Sequence, residues 1–256
     1  MAKVMLVGES WVSAATHYKG FDQFGSTTFH TGAKRFLEGM RAAGHEVTNM
    51  HAHEAAESFP LTVEELGAYD VLILSDIGAN TLLLHPDVWL HGKRVPNRLS
   101  VIERWTHGGG GLIMVGGYLS FQGIDGRARW RNTPVERALP VRCLASDDRV
   151  EIPEGCEPVV DAPDHPLLSG VPEDWPYLLG VNEVEVKEGD GIERVLSLPE
   201  AQGELPLLVT GRHGEGRTLA WMSDMSEHWL PSPFLAWEGY DRLFGNMIDW
   251  CARRVS

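Results

Sequence analysis

Short apolar runs recur along the first half of the chain, each too short for a helix and typical of a buried strand. They cover residues 3–8, 47–50, 70–74 and 112–115. Segments with helical signals lie between them at residues 31–43, after a capping-box sequence at residues 62–65, and at residues 97–107. This alternation predicts an α/β protein with a doubly wound, mostly parallel sheet that carries helices on both faces.

The second half of the chain is less regular. Brief β-type runs at residues 149–152, 183–186 and 195–198 predict antiparallel additions to the sheet, and residues 213–216 predict a hairpin between strands 207–210 and 218–222. A short helix is expected after Thr133, and a closing helix at about residues 236–253 with an apolar, core-facing stripe. No repeat or linker interrupts the pattern, so residues 1–256 are expected to form a single domain. Residues 9–30 follow neither period and are predicted to be a loop.

Charge and cysteine content narrow the partners and the cellular location. The formal net charge of -14 argues against a nucleic-acid backbone or an anionic membrane as the main partner, because both need a basic face. The three cysteines are an odd number without paired spacing, which fits a reducing cytosol better than a disulfide framework. No apolar segment is long enough for a signal-peptide core or a membrane span. We therefore expect a cytoplasmic protein that needs no cofactor.

A glycine pair interrupts the chain directly after the apolar run at residues 112–115. Gly116 and Gly117 permit a sharp turn with positive φ, which would hold the next residue, Tyr118, up at the edge of the sheet. The same strand, turn and projected side chain make up the nucleophile elbow of α/β hydrolases, although no Ser or Cys stands at this tip. The alternative is a glycine-rich connection that only lets a strand pack tightly.

Polar residues follow several of the predicted strands, and the carboxyl ends of parallel strands meet at one edge of a sheet. Two carboxylates, an imidazole and a phenol there would suffice for acid/base chemistry. The predicted catalytic residues are Tyr118, His228, Asp224 and Asp76, and the predicted ligand-binding residues are Glu9, Ser10, Trp11, Asn80, Gly117, Ser120 and Trp229. Alternatively, the two aspartates could cap the turns that follow them, and His228 could be a packed side chain.

Other histidines give weaker signals. His51 and His53 are predicted to lie on one side of a strand as a possible metal pair, but no third ligand has usable spacing, so no metal site is predicted. His17, Lys19 and Asp22 belong to the predicted loop. These three residues would either line the cleft beside the first strand or form part of a structural flap.

Five segments together carry a family resemblance. They are VGESW at residues 7–11, LSDIGANTLLL at 74–84, GGGLIMVGGYLSFQGI at 109–124, DHPLLSGVP at 164–172 and WMSDMSEHW at 221–229. In these segments the chain resembles the class I glutamine amidotransferase-like superfamily, in particular a branch of single-domain bacterial proteins. The resemblance implies a flavodoxin-like sandwich and, in active amidotransferases, a Cys-His-Glu triad that releases ammonia from glutamine.

The chain departs from that triad at two positions. Tyr118 matches the nucleophilic cysteine and His228 matches the histidine, but Leu230 stands where the acid is expected. A phenol with an ordinary pKa near 10 stays protonated at neutral pH and attacks an amide poorly, so no glutaminase activity is expected. Fold alone does not determine function.

Two hypotheses remain. The first is an acid/base enzyme for a small polar metabolite, with His228 controlling a basic limb of the pH profile. Similarity to the trehalose-utilisation-type branch suggests a carbohydrate derivative, and five aromatic residues near the proposed cleft suit stacking on sugars. These are Trp11, Tyr18, Phe121, Trp229 and Trp237. The alternative is a non-catalytic ligand-binding or assembly protein that retains the cleft; in either case the chain could form a homo-oligomer.

Overall fold

The computed structural model of the protein describes residues 1–254, and the last two residues of the predicted domain lie outside the described part. The strands are β1 (Lys3–Gly8), β2 (Ser10–Lys19), β3 (Asp22–Thr31), β4 (Glu46–Met50), β5 (Val71–Ser75), β6 (Gly111–Val115), β7 (Val141–Cys143), β8 (Arg149–Cys156), β9 (Val159–Val160), β10 (Leu178–Asn182), β11 (Val184–Val186), β12 (Glu193–Ser197), β13 (Pro206–His213) and β14 (Gly216–Trp221). The α-helices are α1 (Lys34–Ala42), α2 (Ala52–Ser58), α3 (Val63–Leu66), α4 (Ala79–Leu83), α5 (Pro86–Trp89), α6 (Arg98–His107), α7 (Pro134–Ala138), α8 (Ser232–Ala236) and α9 (Gly239–Cys251). Short 3-10 helices occupy Ile124–Gly126, Pro166–Leu168 and Glu200–Gln202.

The main sheet has eight strands in the order β4-β1-β5-β6-β14-β13-β12-β9. The first five of these strands run parallel, and β13, β12 and β9 continue the sheet in antiparallel pairings. Every residue of β5 and β6 is buried, as expected for central strands covered on both faces. The predicted α/β fold with a mostly parallel sheet is therefore confirmed, as is the hairpin between β13 and β14.

The helices fall into two contacting groups. Helix α1 packs with α9, whereas α6 contacts α3, α4 and α7, and α2 contacts α4. Thr62 with Glu65 forms the capping box of α3, as the sequence predicts. Asn97 accepts two backbone N–H groups at the start of α6. The closing helix predicted at about residues 236–253 corresponds to α9, and a separate short helix, α8, precedes it.

Two of the predicted antiparallel runs lie outside the main sheet. The run at 149–152 is part of β8, which pairs with β10, and the run at 183–186 is part of β11, which pairs with β7. Both pairs are two-stranded sheets of their own. The prediction that they extend the main sheet was wrong, because short strands carry no signal for which partner they will pair with.

The predicted loop at residues 9–30 was also wrong. Residues 10–31, which we call the arm, form an antiparallel ribbon of β2 and β3 that is paired without a bulge from Ser10 opposite Thr31 to Lys19 opposite Asp22. Every residue from 11 to 29 is exposed. The strand signal was missing because a ribbon with two exposed faces needs no alternation of apolar and polar residues. His17, Lys19 and Asp22 lie in the outer part of the arm.

The predicted placement of His51 and His53 on a strand was wrong as well. His51 is the N-cap of α2 and His53 lies within that helix. Their rings stack with centroids 5.8 Å apart, and Phe29 of the arm meets both rings edge-on. This contact joins the arm to the body of the protein near the arm's base.

Candidate functional site

Four residues without the conformational freedom of glycine adopt positive φ angles just beyond the carboxyl ends of parallel strands. Glu9 follows β1 with φ 49°, Asp76 follows β5 with φ 45°, Phe121 lies beyond β6 with φ 49°, and His228 lies beyond β14 with φ 126°. Such backbone conformations are costly for residues with a Cβ, and they cluster at functional sites. They mark this edge of the sheet as the candidate site.

The turn after β6 is fixed by a buried amide. Gly117 has φ 140°, a conformation that L side chains rarely adopt. Its N–H donates to Asn182 Oδ1 at 2.9 Å, and Asn182 Nδ2 donates back to the Gly117 carbonyl at 3.2 Å and to Asp148 Oδ1 at 2.8 Å. Asp148 in turn accepts the N–H groups of Gln122 and Gly123. This network holds the segment that carries Tyr118 in one conformation.

Tyr118 packs directly against His228. Their ring centroids lie 4.3 Å apart in an edge-to-face arrangement. The Tyr118 hydroxyl donates to Glu151 Oε1 at 3.2 Å, and the Arg149 guanidinium lies 4.8 Å from the phenol ring centre. Partial burial, together with Glu151, raises the pKa of Tyr118 above its usual value. The phenol therefore keeps its proton at neutral pH and serves as a hydrogen-bond donor.

Asp76 lies beside this aromatic pair. Its Oδ1 accepts the Leu119 N–H at 2.7 Å, and its own N–H donates to Ser120 Oγ at 3.1 Å. Burial raises the pKa of the Asp76 carboxyl, and the Leu119 hydrogen bond and the charge of His228 partly offset that rise. Burial of part of its ring lowers the pKa of His228, although the residue as a whole is exposed. A neutral imidazole thus faces a carboxyl group at neutral pH.

Glu9 and Asp224 form a second, buried pair of acids. The Ser226 hydroxyl lies 3.1 Å from Glu9 Oε2 and 3.3 Å from Asp224 Oδ1, and Ser75 Oγ donates to Glu9 Oε1 at 2.5 Å. Burial and the charge of Asp76 raise the pKa of Glu9 to about 7. Burial, followed by the charges of Glu9 and Asp76, also raises the pKa of Asp224. Like charges in a buried site cannot all ionise easily, so this pair retains a proton near neutrality.

The other predicted ligand-binding residues have different surroundings. Ser10 is buried, and its hydroxyl accepts the Ala52 N–H at the start of α2. Trp11 is exposed at the base of the arm and stacks on His30. Asn80 is exposed on α4. Trp229 is fully buried, with its indole N–H donating to Glu151 Oε2 at 3.0 Å, so its ring supports the site from below.

Sequence reasoning missed Glu151, Arg149 and Asn182. Glu151 receives hydrogen bonds from both Tyr118 and Trp229, and it lies on β8 in one of the separate small sheets. Asn182 ends β10, the partner of β8. The strand-end rule cannot find residues delivered by an antiparallel pair, and no local motif identifies them. The sequence shows only a polar residue, Asn182, directly before the predicted run at residues 183–186.

Three further properties of the described residues bear on function. No group of three or more His, Cys, Asp or Glu side chains within residues 1–254 is arranged to hold a metal ion. No helix in that part of the chain is long and apolar enough to cross a membrane. A cavity of about 320 Å³ lies at the base of the arm, between Trp11, Gly32, Arg35 and Ser226.

Comparison with known proteins identifies the family. Residues 3–253 match the family model described as "Putative glutamine amidotransferase", and the chain belongs to this family. It is similar to Cytoplasmic Protein STM3548 from Salmonella typhimurium, with 40% identity, TM-score 0.91 and coverage of 97% of this chain and 98% of that chain. Cytoplasmic Protein STM1381 from Salmonella typhimurium LT2 is 38% identical, with TM-score 0.91 and coverage of 97% and 99%.

A more distant likeness concerns the fold alone. A "Putative thua-like protein" from Bacteroides uniformis is 13% identical, with TM-score 0.55 and coverage of 98% of this chain and 91% of that chain. Among curated proteins there is no match.

Proposed function

We propose that this protein is an acid/base enzyme that acts on a small polar metabolite at the edge of the sheet beside Tyr118, Asp76 and His228. The observation that carries the proposal is the placement of His228, which holds φ 126° and packs 4.3 Å from the Tyr118 ring. A strained backbone at a histidine that faces a carboxyl group has a cost that packing alone does not explain. We also interpret the fold as a doubly wound, flavodoxin-like domain. Such sheets bind ligands beyond the carboxyl ends of their strands, and Asp76 directly follows β5, which supports a ligand site at this edge.

In the proposed chemistry three residues act on the substrate or on the proton, and Asp224 only positions one of them. His228, neutral at neutral pH, accepts a proton from the substrate, and Asp76 stabilises the imidazolium that forms. Tyr118 donates a hydrogen bond to the substrate when the substrate displaces Glu151. Asp224 is buried and bonded to the backbone of its own turn, so it acts as a positioning residue that holds the segment leading to His228.

The same assignment excludes glutamine as the substrate. We interpret Tyr118 as the residue at the nucleophile position of the family, which leaves no thiol there. Only two of the five aromatic residues expected to stack on a sugar remain available. Phe121, Trp229 and Trp237 are buried and cannot present a ring face to a sugar, which weakens the proposal of a carbohydrate substrate. The names of the two Salmonella proteins support a cytoplasmic location.

Metabolite profiling tests the proposal without knowledge of the substrate. Purified protein is incubated with a bacterial metabolite extract, and compounds are followed over time by mass spectrometry. We expect at least one compound to be consumed in molar excess over the protein, with a product rising in parallel. The His228→Gln variant should lose about 100-fold or more of this rate. Because the pKa of His228 is lowered, wild-type activity should fall on the acidic side of neutrality, in place of the basic limb expected from sequence.

His213→Gln is the matched control. His213 ends β13 at the opposite edge of the sheet and bonds to Glu103, so this variant should keep full activity. Retention of a compound in stoichiometric amount without any product would instead establish the non-catalytic, ligand-binding alternative. Full activity in His228→Gln would remove the acid/base role.

A further inference from the structure

The arm projects from the candidate site and has little support from the rest of the protein. It starts at the residue after Glu9 and returns at Gly32, whose N–H donates to the Glu9 carbonyl at 2.9 Å. A strand of ten residues spans about 33 Å, and an isolated two-stranded ribbon is marginally stable in water. The exposed fraction of Tyr18 is 73%, and Val12 reaches 57%. This ribbon therefore presents apolar surface that its own chain leaves uncovered.

The two faces of the arm differ. Side chains alternate along each strand, and cross-strand partners share a face. One face holds cross-strand contacts within the arm, such as the stack of His17 on Phe24 at 4.6 Å and the hydrogen-bond contact of His17 with Ser26 at 2.9 Å. The opposite face, which we call the neutral face, has no charged residue. It consists of the pairs Val12–Phe29, Ala14–Thr27, Thr16–Gly25 and Tyr18–Gln23, of which Phe29, at the base of the arm, also contacts His51 and His53.

Charge indicates what covers this face. The chain has a formal net charge of -14, but the arm contains one Lys and one Asp and so contributes none of it. Two copies of so acidic a chain repel each other over most of their surface, and the arm is where they can approach at least cost. Long exposed edge strands usually carry bulges, Pro or several charges that prevent pairing. This arm has a continuous register and only Lys19 and Asp22, both next to the turn.

We propose that the arm is an assembly element, and that its neutral face packs against the arm of a second copy of this chain. The arm has two strands of ten residues each, and every residue from 11 to 29 is exposed. The neutral face takes eight of these residues, fewer than the about 20–30 that a standard interface takes from each partner, so packing of this face alone makes a small interface. Arm-to-arm packing is self-complementary, as the two-fold symmetric interface of a homodimer requires.

Analytical ultracentrifugation over a range of concentrations tests the proposal. The wild type should sediment with at least twice the 28.4 kDa mass of one chain. Ala14→Lys puts a charge on the neutral face and should raise the dissociation constant at least about tenfold. The matched control is Ala15→Lys, which makes the same substitution at the next exposed residue, on the opposite face. This control should assemble as the wild type does.

A variant with a shortened arm provides a second test, which holds even if a point variant misfolds. An Asn-Gly turn that joins Ser13 to Thr28 removes residues 14–27 and keeps the register, because these two residues are cross-strand partners. This variant should be monomeric with an unchanged circular dichroism melting transition for the body. A wild type that sediments as one chain at every concentration would overturn the proposal. Assembly that survives arm shortening would do the same, and equal dissociation by both lysine variants would overturn the assignment to the neutral face.

Discussion

Glu9 combines a strained backbone with a buried carboxyl group, and the second feature gives a pH-dependent prediction. The raised pKa of about 7, against an ordinary 4.5, means that the unfolded chain releases this proton at lower pH than the folded protein does. The contribution of Glu9 to the free energy of unfolding is therefore fully present below about pH 4.5, and it is lost as pH rises toward 7. The shift corresponds to on the order of 3 kcal/mol at most.

The Glu9→Gln variant removes this titration while keeping groups that can bond to Ser75 and Ser226. We expect its free energy of unfolding to change less than that of the wild type between about pH 5 and about pH 8. Denaturant unfolding at both pH values measures the difference. Glu188→Gln, at an exposed loop position, should follow the wild-type slope. Parallel slopes for wild type and Glu9→Gln would show that Glu9 ionises normally.

At the residue level, the strand-end rule accounts for part of the candidate site. It selects Tyr118, Asp76 and His228 from distant segments, and the structure brings the rings of Tyr118 and His228 into contact. It also selects Asn80, which is exposed on α4. The strand-end rule does not select Glu151, because β8 approaches the site through tertiary packing that no local pattern encodes.

At the scale of elements, the turn after β6 depends on a backbone conformation that only glycine adopts easily. A Cβ on Gly117 would stand 3.1 Å from Asp76 Oδ1 and would be strained at φ 140°. We expect Gly117→Ala to lower the free energy of unfolding by about 1–3 kcal/mol. The substitution should also shift Asp76 and reduce any turnover found by metabolite profiling.

Gly245→Ala provides the comparison for this turn. Gly245 lies within α9, and nothing is within 4 Å of the position its Cβ would take. Alanine is a better helix former there, so the variant should gain about 0.5–1 kcal/mol. Chemical denaturation of both variants measures the contrast. If Gly117→Ala proved as stable as Gly245→Ala, the turn would tolerate a side chain and its strain would not constrain Asp76.

The sequence predicts best the strands that are buried on both faces. The runs that became β1, β5 and β6 are continuous and apolar because central parallel strands are covered on both faces. The arm lies at the other limit, with two exposed faces and therefore no periodic signal. Strand pairings such as β8 with β10 depend on contacts far apart in sequence, which periodicity does not encode.

At the scale of the whole molecule, the distribution of thiols bears on glutamine chemistry. Cys143, Cys156 and Cys251 are all buried and free. Burial raises the pKa of each thiol above its usual value, to about 11 for Cys156. A thiol in this state has almost no thiolate at neutral pH, and the thiolate is the nucleophile in thioester chemistry. Cys251 also lies on α9, which packs against β6 and β14.

We therefore predict that the protein does not hydrolyse glutamine. Thioester formation requires a thiolate beside the histidine, and His228 has the Tyr118 phenol as its neighbour. The phenol holds its proton more tightly than usual, which makes it a still weaker nucleophile at neutral pH. The assay incubates purified protein with glutamine and follows glutamate and ammonia, with a parallel sample treated with a thiol-alkylating reagent. Turnover that alkylation abolishes would show that a cysteine reaches the site, and the assignment of Tyr118 to the nucleophile position would then be wrong.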